Sequence, residues 1–149
     1  MKYVHTNIVA RNWRLLSGFY INVFLCIPIT PERNLKGEWL ERGTGVKNAS
    51  LQGIHLLLPG YNIDGPTLEI FQYQENENKP YTVANREGFG HIAFSVENVE
   101  AVLEKMISCG GTRFGDVVRK EFGDKVLIFT YAKDPEGNIV ELQTWEAKN

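Results

Sequence analysis

An internal repeat constrains this chain more than any other feature. His5-Thr6-Asn7-Ile8-Val9-Ala10-Arg11-Asn12-Trp13 near the start and Gly90-His91-Ile92-Ala93-Phe94-Ser95-Val96-Glu97-Asn98-Val99 in the second half share one outline. In each, a His opens a short apolar strand, an Asn follows seven residues later, and helical spacing begins. The copies also close alike, on Leu68-Glu69-Ile70 before Tyr73 and on Val140-Glu141-Leu142 before Trp145. Two histidines at one position of a duplicated unit point to a site built by symmetry.

Between these landmarks the periodicities place the elements. Tyr3 to Val9 alternates, with Val4, Thr6 and Ile8 on one face and His5, Asn7 and Val9 on the other. Asn12 suits an N-cap for a helix from Trp13 to about Val23. From Pro28 to Ser50 the pattern breaks down among Pro28, Pro31, Gly37, Gly43 and Gly45, which predicts a loop excursion with a short helical turn near Glu38 to Arg42. Such a loop, with Trp39 inside it, suits a lid or pocket wall, or else a surface excursion pinned by one Trp. Leu51 to Leu58 and Thr67 to Tyr73 read as strands, the first with His55 opposite Ile54 and Leu56, the second with Glu69 and Phe71 opposite Leu68 and Ile70. The polar tract Gln74 to Arg86 joins two modules, about 1–75 and about 88–146, within a single domain spanning 1–149. In the second module Asn98 caps a helix that Gly110-Gly111 stops, Thr112 to Val118 and Lys125 to Tyr131 read as strands, and Asp134-Pro135-Glu136-Gly137-Asn138 turns the chain into a last strand, Ile139 to Trp145.

Composition narrows the partners. The net charge of −2 arises from interleaved acids and bases, which leaves no basic footprint for nucleic acid or an anionic membrane, so a small-molecule substrate is expected. Leu15 to Ile29 is the most apolar run, but it is shorter than a membrane span and carries Ser17, Gly18 and Asn22. Cys26 and Cys109 are too few for a disulfide framework or a thiolate zinc site and read as buried hydrophobes. Strand signals begin by Tyr3, and a cytoplasmic protein is expected.

Four residues stand at equivalent positions of the repeats: His5 and His91 on the opening strands, Glu69 and Glu141 on the closing ones. Each falls opposite the aliphatic row of its strand. With amphipathic helices covering the aliphatic rows, all four project from the other face. Two imidazoles and two carboxylates suit one divalent metal ion, Zn, Ni, Co, Mn or Fe, because borderline N and O donors bind such ions and leave positions free. A carboxylate inside a sheet is costly unless it is paired or metal-bound, so two at matched positions call for a cation.

These motifs resemble the vicinal oxygen chelate superfamily, which holds glyoxalase I, methylmalonyl-CoA epimerase, extradiol dioxygenases and the bleomycin resistance proteins. The likeness covers nearly the whole chain outside Pro28 to Ser50. It is closest to glyoxalase I-like proteins at His5-Thr6, at Gly90 to Val96 with Glu104-Lys105 and Gly110-Gly111, and at Asp134-Pro135-Glu136-Gly137 running into Glu141-Leu142. The resemblance implies an α+β fold of two βαβββ modules forming a curved, U-shaped mixed sheet with helices on the convex face. It also implies metal ligation by His5, Glu69, His91 and Glu141, with Glu141 or Glu69 as the base in chemistry that passes through a metal-stabilised enediolate.

Where glyoxalase I has an Arg four residues after the first His this chain has Val9, and where it has an Asn four residues after the first Glu this chain has Tyr73. His55, Trp39, Phe71 and Tyr73 are therefore the expected substrate contacts. A metal-dependent lyase, isomerase or epimerase leads, because two carboxylates supply a base on each face of a carbon. An extradiol dioxygenase needs Fe(II) and one carboxylate fewer. A non-catalytic small-molecule binder would carry no catalytic metal. Modules of this size with exposed sheet edges commonly pair, which makes a homodimer the expected assembly.

Overall fold

Asn12 and Asn98 begin the two long helices in the same way: each side-chain oxygen accepts the backbone N–H three residues on, from Leu15 at 3.1 Å and from Ala101 at 2.8 Å. They belong to two compact units of the computed structural model, which describes residues 1–148. The first unit, Met1–Lys79, runs β1 (His5–Val9), α1 (Trp13–Phe24), β2 (Ile27–Lys36), α2 (Glu38–Thr44), β3 (Ser50–Leu57) and β4 (Thr67–Tyr73). The second begins at Pro80 and runs β5 (Ile92–Ser95), α3 (Val99–Ser108), β6 (Thr112–Arg113), β7 (Val118–Phe122), β8 (Lys125–Lys133) and β9 (Ile139–Ala147). The division falls inside the polar tract at 74–86.

Each unit is a mixed sheet closed by a parallel pair. The first has the order β1-β4-β3-β2 with β1 parallel to β4, and the second β5-β9-β8-β6 with β5 parallel to β9 and β7 also on β8. The repeat is thus βαβββ in outline, as expected. In the first unit α1 packs on β3 and β4, burying Leu16, Phe19, Tyr20 and Val23 over Leu56, Leu68 and Ile70. In the second α3 packs on β9, β8 and β6, with Leu103 and Met106 over Val140 and Leu142. A fully buried Leu or Ile contributes about 1.5–3 kcal/mol, so these aliphatic rows fix which face of each strand the helix takes. Glu69 and Glu141, one residue out of phase with them, take the other face.

Two features differ from the sequence reading. The excursion from Pro28 is largely the ten-residue strand β2, antiparallel to β3 at the edge of its sheet. Its prolines obscure the pattern but are tolerated at an edge: Pro28 stays in register opposite Leu56, and a register shift between Ile29 and Arg33 takes up Pro31. Thr112 to Val118 is not one strand: β6 ends at Arg113, and β7 starts at Val118 as the first arm of a hairpin turning at Gly123, whose φ is +62°. The short α2 sits on the Glu69 face, where Leu40 packs with Ala49, Leu51, Leu35, Phe71 and Tyr73. Among the described residues no helix is long and apolar enough to cross a membrane.

Candidate functional site

Parallel pairing of β1 with β4 sets Asn7 opposite Glu69, so His5, two residues earlier on the same face, reaches back over the carboxylate. Antiparallel pairing of β3 with β4 sets His55 directly opposite Glu69. The result is a three-membered cluster: His5 Nδ1 and His55 Nε2 both lie 3.3 Å from Glu69 Oε1. Glu69 is 7% exposed, whereas the His5 side chain is 44% exposed, so the cluster is covered at its base and open at its rim. Burial holds the His55 imidazole below the usual histidine range; the Glu69 carboxylate opposes that shift, while Arg33 and His5 add to it.

The second unit repeats half of this. β5 and β9 pair Ala93 with Glu141, the same register that relates Asn7 to Glu69, and His91 again stands two residues upstream. His91 Nε2 lies 2.9 Å from Glu141 Oε2. The place opposite the carboxylate, filled by His55 in the first unit, is filled here by Tyr131, whose ring centroid lies 4.7 Å from that of His91. Tyr131 was missed in the sequence. The available signal was its position in a strand facing Glu141, which shows only once β8 and β9 are paired.

Of the other expected contacts, Phe71 and Tyr73 extend the Glu69 face along β4, and the Phe71 ring centroid lies 5.5 Å from that of His55. Gly53, opposite Phe71, makes this possible: a Cβ there would meet Phe71 Cδ1 at 2.4 Å. Trp39 on α2 is 62% exposed and its neighbour Leu40 turns inward, so the helix is held by Leu40 and not by the Trp. His5, His55 and Glu69 are brought together in one unit, and His91 and Glu141 in the other.

Imidazole nitrogen and carboxylate oxygen are the donor chemistry of a divalent first-row ion, and both units present it on the face opposite their long helix. The residues present fit such an ion chemically. Among the described residues no group of three or more His, Cys, Asp or Glu is arranged to hold one as the side chains stand, and each carboxylate is instead engaged by imidazole.

A family model described as the Glyoxalase/Bleomycin resistance protein/Dioxygenase superfamily matches residues 53–142. Among solved structures, a glyoxalase family protein from Bacillus cereus is similar at a TM-score of 0.75 and 17% identity, over 97% of this chain and 93% of that one. A glyoxalase family protein from Enterococcus faecalis matches at a TM-score of 0.59 and 22% identity, over 97% and 96% of the two chains. A glyoxalase/bleomycin resistance protein/dioxygenase family enzyme from Burkholderia phytofirmans matches at 0.54 and 15%, over 93% and 94%. At these identities the likeness is one of fold. Comparison with curated proteins gives no match.

Proposed function

This chain belongs to the glyoxalase/bleomycin resistance protein/dioxygenase superfamily, and we propose that it is a metal-dependent enzyme of the glyoxalase or epimerase type, moving a proton beside the carbonyl of a small carbonyl or thioester substrate. The observation that carries this reading is the repeated imidazole–carboxylate pair, His5 with Glu69 and His91 with Glu141, at one register position of two modules. His5, Glu69, His91 and Glu141 would hold one divalent ion, Zn, Ni, Co, Mn or Fe. Bound there, the ion supplies a Lewis acid for the negative charge that develops on the substrate oxygen.

The side chains divide the remaining work. Glu69 lies between two imidazoles and is the more enclosed carboxylate, its side chain 9% exposed against 16% for Glu141. Glu141, with His91 as its imidazole contact, is the freer one and is assigned the base that takes the proton from carbon. Glu69 is the second, more tightly held carboxylate. His55 orients Glu69 Oε1, and Phe71 and Tyr73 continue the same face as an apolar wall that excludes water from the reacting carbon. Trp39, exposed on α2, is assigned a contact with the outer part of the substrate. A homodimer is part of the proposal; the end strands of the two sheets, β2 and β5 among them, offer edges for pairing.

The test is proton exchange on metal-reconstituted protein in D2O, using methylglyoxal with thiols and a set of 2-substituted acyl thioesters. Deuterium incorporation at the carbon next to the carbonyl, lowered about a hundredfold or more in Glu141→Gln, is the expected result. Intact metal binding with no exchange on any of these substrates would contradict the proposal.

A further inference from the structure

Between Ile29 and Arg33 strand β2 slips against β3: Ile29 pairs with His55 and Arg33 with Gly53, so the β2 side of the ladder carries two extra residues. The slip decides where side chains point. Ile29 and Arg33 stand opposite residues of the His55 face, and Arg33 therefore joins His55 and Glu69 on one side of the sheet. Glu32, one residue earlier, looks the other way. Its two carboxylate oxygens take the guanidinium of Arg14 on α1 at 2.7 and 2.9 Å, and α1 covers the opposite face of β3 and β4. This bidentate pair shows which way the bulge directs Glu32.

Arg33 is half-buried, and its Nη1 donates to the Pro31 carbonyl at 2.7 Å. Arg14, Arg42, Arg113 and Arg119 each have a carboxylate partner; among the described residues Arg33 has none. Its charge acts on His55, favouring the neutral imidazole. A planar guanidinium with unfilled donors beside a reacting centre is suited to an oxyanion, which it can bind through two parallel hydrogen bonds.

We propose that Arg33 is the specificity-determining residue that takes a negatively charged oxyanion group of the substrate, a carboxylate or a phosphate, and so selects small carbonyl compounds that carry such a group away from the reacting carbon. The proposal deepens the reading above and rests on Glu69 belonging to the reacting centre. β2 lies two strands from β4, which at the usual interstrand spacing is about 10 Å, so several bonds separate the oxyanion from the carbonyl. The stretch between them is apolar: Gly53 has no side chain, and the Phe71 ring lies against it. A short aliphatic spacer fits over that floor.

The experiment titrates the full chain, metal-free and zinc-loaded, with glutarate, inorganic phosphate and the uncharged control glutaramide, following backbone amides by 15N correlation NMR. Glutarate or phosphate is expected to shift the Gly53 and His55 amides saturably in the metal-free chain, and glutaramide is not. The relative affinities of the two anions identify which oxyanion the site takes. Arg33→Gln should weaken that binding about tenfold or more, and Arg33→Lys should retain part of it. If Arg33→Gln loses its dispersed spectrum, Arg33→Met, which keeps the aliphatic stem, carries the same test. Equal anion binding by wild type and the neutral variant, absence of anion binding, or equal shifts from glutaramide would overturn the proposal. Zinc affinity, measured separately by calorimetry, is expected to be unchanged in every Arg33 variant. Anion binding that depends on Arg33 in a chain that takes up no zinc would overturn the metal reading and leave the Arg33 assignment standing.

Discussion

His55 and Glu69 face each other directly across β3 and β4, and the carboxylate oxygen that His55 Nε2 approaches at 3.3 Å is the same one that His5 Nδ1 approaches at 3.3 Å. A buried carboxylate held from two sides loses more than one contact's worth when either imidazole is removed, because the remaining group is left desolvated and half satisfied. His55→Ala is expected to lower stability by about 1–3 kcal/mol in urea unfolding. In a double-mutant cycle with Glu69→Gln the two effects should fall short of additivity by about 0.5–3 kcal/mol. Full additivity would show that the contact carries no energy.

The same burial gives a pH dependence. The His55 imidazole is held below its ordinary value of 6.5, so the unfolded chain takes up that proton first as pH falls. Stability from this group is fully present above about pH 6.5 and is lost progressively as pH drops through the lower folded-state value. The expected observation is a histidine titration with its midpoint below 6.5 by NMR, together with a shallower acid loss of stability in His55→Gln than in wild type.

Much of this arrangement was legible in the repeat. Asn12 and Asn98 name the helix starts, the aliphatic rows Leu68/Ile70 and Val140/Leu142 name the helix-covered face, and subtraction leaves Glu69 and Glu141 on the other. His55 on the Glu69 face followed from strand alternation alone. β2 was not legible, because two prolines and a register shift interrupt the period on which strand recognition depends. With β2 hidden, Arg33 could not be assigned to a face, since its direction depends on the register shift between Ile29 and Arg33. Tyr131 was hidden for a related reason: strand pairing, which a single sequence does not display, makes it the counterpart of His55.

Gly53 leaves no room for a side chain. A Cβ there would lie 2.1 Å from the Ile70 carbonyl oxygen and 2.4 Å from Phe71 Cδ1, so backbone as well as a ring must move. Gly53→Ala is expected to destabilise by about 1–3 kcal/mol in spite of the better strand propensity of alanine, and to displace Phe71 from His55. The check is urea unfolding together with loss of the ring-current shift on the His55 imidazole protons.

The two cysteines should react very differently. Cys26 is 2% exposed and burial pushes its thiol up from 9.0 to about 11, whereas Cys109 is half-buried. One thiol equivalent is expected to react with a disulfide reagent at pH 8 in the native protein and a second only in denaturant. Because the folded state keeps the Cys26 proton longer than the unfolded state does, stability should fall as pH rises from about 9 towards about 11, and Cys26→Ala should remove that slope.

The most direct test of the proposed metal chemistry is the stoichiometry and affinity of divalent metal in wild type and in variants drawn from both units. Calorimetry and elemental analysis should give one ion per chain for wild type, with affinity reduced about tenfold or more in His5→Ala, Glu69→Gln, His91→Ala and Glu141→Gln alike. Absence of stoichiometric metal in wild type, or affinity that depends on one unit and is indifferent to the other, would contradict a single centre built from the repeat.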